Sequence, residues 1–183
     1  MRVIAGTARG VSLIAPRDRA TRPISDRVKE TLFGILAERV LDAVVIDLYA
    51  GSGAIGIEAL SRGAEHCTFV ERGRPALTAL AGNLQRTHLD AAASVRSGDV
   101  LRVLGSEPLH RYGLAFLDPP YAEHAILAPL ERLQPHLSDR ATVVVKHFWR
   151  TMVPSPPGLA VWRVRRFGET SLTFLQTDGA TEP

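Results

Sequence analysis

The chain has 183 residues, 45% of them hydrophobic, which suits one domain with a real core and leaves no room for a second full domain. It has no window of about 18 apolar residues for a membrane span and no apolar stretch of a secretory signal after Met1. A single cysteine, Cys67, excludes an intrachain disulfide and the common zinc spacings, so a soluble, cytoplasmic, metal-free protein is expected. The net charge of +3 is unevenly spread: residues 1–40 carry eight basic against four acidic groups, and the remainder 14 against 15, which gives the N-terminal segment a local pull on phosphates.

In chain order, residues 2–15 alternate around Gly6 and Gly10 like a small β-hairpin, and Ser25 is placed to cap a helix whose Val28, Leu32, Ile35 and Leu36 face inward. Val44 to Leu48, apolar but for Asp47, is a run of the kind a buried parallel strand needs, and a helix from Ala54 to Arg62 follows, with Gly63 as its stop. Cys67 to Glu71 reads as a strand. Pro75 then opens a helix with a Leu77, Leu80, Ala81, Leu84 stripe, and Ala93 to Ser97 is a weaker strand. Leu114 to Asp118 is a strand halted by two prolines, and a helix over 124–137 and a strand from Thr142 to Lys146 complete a parallel core. After the Pro154 to Gly158 loop, Leu159–Arg165 and Ser171–Gln176 read as an antiparallel pair at the sheet edge. The expected architecture is an α/β Rossmann-like fold with a mostly parallel seven-stranded sheet and helices on both faces. A basic extension (1–40) precedes the main domain (41–177), and a flexible tail (178–183) follows it.

Two constellations carry chemistry. The first is Asp47-Leu48-Tyr49-Ala50-Gly51-Ser52-Gly53-Ala54-Ile55-Gly56, between a buried strand and a helix at the carboxyl edge of the sheet, where open α/β sheets bind ligands. Glu71, 20 residues past Gly51, is placed to hydrogen-bond a ribose. This spacing also fits a dinucleotide loop, so by itself it implies only a nucleoside-bearing cofactor. The second is Asp118-Pro119-Pro120-Tyr121. An exocyclic base amine is a poor nucleophile, because its lone pair is delocalised into the ring. The Asp118 carboxylate and the Pro119 carbonyl can accept its hydrogens and aim that lone pair, the prolines fix the acceptors, and Tyr121 offers a face for an extruded base. A plain proline turn and a plain glycine turn are the competing explanations, and neither accounts for both constellations together.

Asp-Pro-Pro-Tyr with Asp-x-x-x-Gly-x-Gly resembles the amino-group class of S-adenosylmethionine methyltransferases. Arg22-Pro23-Ile24-Ser25-Asp26-Arg27-Val28, the run from Leu48 to Gly63, and Arg166-Phe167-Gly168-Glu169-Thr170 are more specifically similar to the RsmD family, over nearly the whole chain. That family methylates guanine N2 in bacterial small-subunit ribosomal RNA. The resemblance implies S-adenosylmethionine as cofactor, Gly51 and Gly53 at its methionine part, Glu71 at its ribose, Asp99 at its adenine amine, and Asp47 orienting the loop. It also implies that Arg22 and Ser25 lie near the cofactor or the mouth of the site.

The expected cofactor set is Asp47, Tyr49, Gly51, Ser52, Gly53, Glu71, Arg72, Asp99, Val100 and Asp118. The expected catalytic set is Asp118, Pro119, Pro120 and Tyr121, and the expected RNA set is Arg2, Arg9, Arg17, Arg22, Ser25, Arg27 and Tyr121. The expected partner is small-subunit rRNA, free or within an assembled or assembling subunit, with no membrane and a monomeric protein. The chain departs from the family pattern at Ile24-Ser25 and at Lys146, where a Glu is common, and no role is assigned to Lys146. Three other readings stand beside this one: an adenine-N6 methyltransferase, a catalytically silent RNA-binding assembly factor, and an NAD-dependent oxidoreductase for which no hydride-transfer partner is visible.

Overall fold

A computed structural model describes residues 1–16, 24–106, 111–119 and 126–177. Among these residues one seven-stranded sheet runs through the molecule: β1 (Val44–Leu48), β2 (His66–Glu71), β3 (Ala93–Ser97), β4 (Tyr112–Leu117), β5 (Leu137–Phe148), β6 (Leu159–Phe167) and β7 (Thr170–Thr177). Their spatial order is β3-β2-β1-β4-β5-β7-β6. The first five are parallel, and β7 pairs antiparallel with both β5 and β6. The C-terminal pair sits at the edge as expected, with its second strand innermost. Composition explains this, since Leu172, Phe174 and Leu175 of β7 are buried whereas β6 carries Arg163, Arg165 and Arg166 and is mostly exposed.

Helices cover both faces: α1 (Asp26–Leu36), α2 (Ala54–Ser61) and α3 (Arg74–Thr87) on one, α4 (Val100–Leu104) and α5 (Leu127–Leu133) on the other. Each face has its own core, one around Leu32, Phe33, Phe69, Phe116 and Phe174, the other around Leu48, Val70, Leu117, Leu130 and Leu175. The strand order reverses between β1 and β4, so their carboxyl ends splay apart and leave a crevice there.

Several expectations are corrected. β5 spans 12 residues, because Leu137 joins Tyr112 across a bulge and pairing with β7 continues to Phe148. In α3 the buried face is Ala76, Leu80, Asn83, Leu84 and Thr87, which leaves Ala81 exposed and Leu77 half-buried: a polar asparagine holds a position that a hydrophobic count passes over. In α1, Lys29 and Phe33 are buried and Ile35 is only half-buried. The short α4 has no counterpart in the sequence reading.

The N-terminal hairpin is a strap with one isolated bridge, Arg2 to Ser12, since its register is set by the core beneath it. Val3, Ala8 and Leu13 are buried, and Gly6 lies so close to α2 that a Cβ there would fall 1.6 Å from the Ser61 carbonyl oxygen. Glu58, fully buried in α2, holds the strap. Its carboxylate accepts from the Ile4 and Ala5 amides at 2.8 and 3.0 Å, from Lys29 Nζ at 3.3 Å and from Arg62 Nε at 2.8 Å. Lys29 Nζ also donates to the Arg2 carbonyl. A charge with this many donors is compensated in the interior, so Lys29 belongs to the core and does not add to the phosphate-attracting surface.

Candidate active site

The crevice at the ends of β1 and β4 is a cleft with walls from several elements. The loop after β1 gives Tyr49, Gly51 and Ser52, the end of β2 gives Glu71 and Arg72, the β3–α4 turn gives Gly98 and Val100, and the end of β4 gives Asp118 and Pro119. Met1, Ala15, Pro16 and Ile24 close it from the strap side.

The loop after β1 holds an unusual backbone. Tyr49, Gly51 and Gly53 all have positive φ, at 62°, 57° and 77°. For tyrosine this conformation is uncommon and costs energy, and it persists because neighbours over-determine it. The Ala50 amide donates to the Val70 carbonyl, the Gly53 amide to the Ala50 carbonyl, and the Gly51 amide to Glu71 Oε2 at 2.8 Å. Asp47 Oδ2 accepts from the Gly56 amide at 3.0 Å, which ties the loop to the first turn of α2. Burial pushes the Asp47 carboxyl well up. The Gly56 amide opposes that rise, and the charges of Asp118 and Glu71 add to it.

Glu71 is fixed by three amides, since Oε1 also accepts from Arg72 and Gly73. A carboxylate offers about four lone-pair sites, so one acceptor position remains for a ligand hydroxyl in the cleft.

Eight of the ten expected cofactor residues line the cleft. Gly53 turns toward the interior, where a Cβ would lie 2.4 Å from Leu80 Cδ1. The Asp99 carboxylate is the cap of α4, with Oδ1 accepting from the Leu101 and Arg102 amides and Oδ2 lying 3.6 Å from Arg72 Nη1. An aspartate before a helix satisfies two otherwise orphaned donors, and that local demand takes the side chain here.

Asp118 follows β4 directly, and its amide donates to the Leu48 carbonyl at 3.4 Å, which places it beside the loop after β1. Pairing of Leu117 with Val145 sets Lys146 opposite it. Lys146 Nζ, 7% exposed as a residue, donates to Asp118 Oδ1 at 2.8 Å and Oδ2 at 2.7 Å. Burial raises the Asp118 carboxyl above its ordinary value, and the lysine's charge and hydrogen bonds pull it back down. Lys146, given no role from sequence, is therefore part of the site. Only the β4–β5 register reveals this, because the two residues lie 28 apart in the chain.

Among the expected RNA contacts, Ser25 caps α1 by accepting from the Val28 amide, and Ile24 rather than Ser25 lines the cleft. Arg2 pairs with Asp26 at 3.2 Å on the surface, and Arg9 and Arg27 are exposed. Arg17, Arg22, Pro120 and Tyr121 lie outside the described residues. The structure also shows Asn83 beneath the site: its Nδ2 donates to the carbonyls of Ser52 and Ile14, both at 2.9 Å, and its Oδ1 accepts from the Ile14 amide at 2.7 Å. No sequence signal singled it out.

Among the described residues no cluster of His, Cys, Asp or Glu could hold a metal ion, and no helix is long and apolar enough to cross a membrane.

The chain is similar to known proteins over most of its length. YlbH of Bacillus subtilis (strain 168) is 36% identical over 98% of this chain and 100% of its own. Ribosomal RNA small subunit methyltransferase D of Escherichia coli (strain K12) is 34% identical over 91% of this chain and 83% of its own. The solved structure of yhhF from Escherichia coli superposes with a TM-score of 0.86 at 31% identity and covers 98% of each chain. The fold is thus the class I methyltransferase fold that the strand pattern and the two motifs led to expect. A family model matches residues 1–176, and with it the chain belongs to the family described as Conserved hypothetical protein 95, the RsmD family.

Proposed function

We propose that this protein is an S-adenosylmethionine-dependent rRNA methyltransferase that methylates the exocyclic N2 amine of a guanine in small-subunit ribosomal RNA. The observation that carries this reading is the position of Asp118 and Pro119 on the same cleft as the strained loop after β1 and the amide-anchored Glu71. An acceptor pair for an amine and a nucleoside-holding loop thereby face one space.

The cleft fits the cofactor. A Cβ on Gly51 would meet no atom of the described residues within 4 Å, so among them the loop backbone is open to close approach. Glu71 has an acceptor site left for a ribose, and Val70 and Val100 supply apolar walls for an adenine. When bound, S-adenosylmethionine supplies an electrophilic methyl group on a sulfonium.

The chain's own groups do the rest. Lys146 occupies one lone pair on each Asp118 oxygen and leaves the others able to accept from the target amine. The Pro119 carbonyl adds a second acceptor that a proline ring holds in place, so the amine is oriented with little reorganisation. Positioning of this kind supplies up to roughly 7–11 kcal/mol in favourable systems. The amine's surplus proton leaves to Asp118 or to water. The target base must be extruded to reach the cleft, which costs least in a loop.

The test is methyl transfer from labelled S-adenosylmethionine to naked small-subunit rRNA and to assembled subunits, followed by nucleoside mass analysis. N2-methylguanosine is expected from the wild type, with at least a hundredfold lower rate from Asp118→Ala. N6-methyladenosine in its place, or an unchanged rate in the variant, overturns the assignment.

A further inference from the structure

The second basic region of the chain lies far from the N-terminus in sequence. Residues 141–168 contain Lys146, Arg150, Arg163, Arg165 and Arg166 and no aspartate or glutamate. A whole-chain charge balance hides this stretch, because acidic residues elsewhere cancel it. The fold brings part of it to the rim of the cleft. Trp149 follows β5 directly, three residues beyond Lys146, and its amide donates to the Glu169 carbonyl at the β6–β7 turn. At ~3.3 Å of rise per strand residue, Trp149 stands ~10 Å from the Lys146 position at the same carboxyl edge.

Two arginines gather on this indole. Arg166 Cζ lies 3.8 Å and Arg150 Cζ 4.7 Å from the ring, and both side chains are exposed. The Arg166 Nε also donates to the Gly168 carbonyl at 2.8 Å, which fixes the orientation of its fork. A guanidinium stacked on an aromatic face keeps its N–H edge free to point outward and loses little further rotamer freedom on binding. Two like charges on one ring repel each other, so an anion that reaches both relieves a cost already present in the ligand-free protein. Planar forks with paired donors match phosphate oxygens.

We infer that Trp149, Arg150 and Arg166 form a phosphate clamp for the RNA strand that flanks the target nucleotide. This rests on the proposed RNA substrate. A strand whose base enters beside Asp118 must continue over the rim, and each adjacent nucleotide carries a phosphate past these forks. The clamp lies outside the N-terminal arginines and approaches the cleft from the sheet's β5–β7 side.

The experiment measures methyl transfer by the full chain to small-subunit rRNA, naked or in the assembled subunit, across a salt series. The Arg150→Gln/Arg166→Gln protein is compared with Arg132→Gln/Arg140→Gln, which removes the same charge at the opposite edge of the sheet. The clamp variant should show a KM for RNA raised roughly tenfold with kcat within about twofold of wild type. Its slope of log affinity against log salt should be shallower by about 1.4, since each phosphate contact on a single strand contributes about 0.7. Its affinity for S-adenosylmethionine should not change, which also reports an intact fold. A clamp variant with wild-type KM and slope, or an equal loss in the opposite-edge variant, overturns the inference. Wild-type protein that transfers no methyl to rRNA in either form sinks the functional reading itself.

Discussion

Lys146 and Asp118 form a pair in which each side chain decides what the other can do. Burial favours the protonated acid and the lysine favours the carboxylate, with burial the larger effect. An acid that accepts hydrogen bonds from an amine on both oxygens must be ionised, so the rate should rise with pH through a limb above the ordinary carboxylate range. Lys146→Met removes the opposing charge and should move that limb further up. Its loss of activity should therefore be severalfold greater at pH 6 than at pH 9, in a pH series of kcat/KM for RNA. A loss of equal size at every pH would mean that the lysine only fills space. Asp47 gives a second pH signature, in stability. Its carboxyl is raised, so between the ordinary carboxylate value and the raised one the folded protein holds a proton that the unfolded chain has released, and stability falls as pH rises through that window. Asp47→Asn keeps an acceptor for the Gly56 amide and cannot ionise. Its melting temperature should exceed the wild type's by a margin that widens from pH 4 to pH 8, and a constant margin in calorimetry would refute the buried-charge account. At this scale the sequence placed Asp118 and Glu71 at strand ends beside recognisable turns, and both line the cleft. It did not foresee that Asp99 caps α4, because an aspartate before a helix serves a cap as readily as a ligand. It was silent on the partner of Asp118, because cross-strand register is a property of the folded sheet.

The strands were the most legible elements. β1 and β3 fall on the expected residues, and β2 and β4 match within two, since short β-branched and apolar runs between turn signals leave few alternatives. Helix faces were less legible, because a face is set by what lies opposite. α3 turns Asn83 and Thr87 inward where the leucine spacing suggested Leu77 and Ala81. The glycine loop shows how one motif divides its labour. Gly51 and Gly53 both need a left-handed backbone, which costs an ordinary residue about 1–2 kcal/mol. A Cβ at Gly51 meets no described residue, while one at Gly53 collides with Leu80 and adds about 1–3 kcal/mol of overpacking. Gly53→Ala should thus lose clearly more stability in urea unfolding than Gly51→Ala. Gly51→Ala should instead lose more affinity for S-adenosylmethionine relative to its stability change, because its methyl group stands at the loop's open side. The reverse ranking would show that Gly53 and not Gly51 faces the cofactor.

Across the whole molecule, the N-terminal strap is part of the pocket. Met1, Ala15 and Pro16 stand on the cleft wall, and the strap is bound to the core at one end by Glu58 and at the other by Asn83. Asn83 makes this a coupling, since the same amide nitrogen that holds the Ile14 carbonyl holds the Ser52 carbonyl in the cofactor loop. Strap order and loop geometry then share one buried side chain, and a ligand that rigidifies the loop should also quiet the strap. Asn83→Ala leaves the buried Ser52 carbonyl and the part-buried Ile14 amide and carbonyl without their partner, a loss of roughly 1–3 kcal/mol. That should weaken S-adenosylmethionine binding about tenfold, where 1.4 kcal/mol corresponds to a factor of ten. Hydrogen exchange over residues 1–16 should accelerate in the same variant while the amides of β1 and β4 stay protected. Thr87→Ala supplies the contrast, because that buried hydroxyl bonds only carbonyls of its own helix. It should destabilise α3 without changing strap exchange or cofactor affinity. If both variants affect the two readouts alike, the strap and the loop communicate through general stability, and the shared asparagine is no link between them.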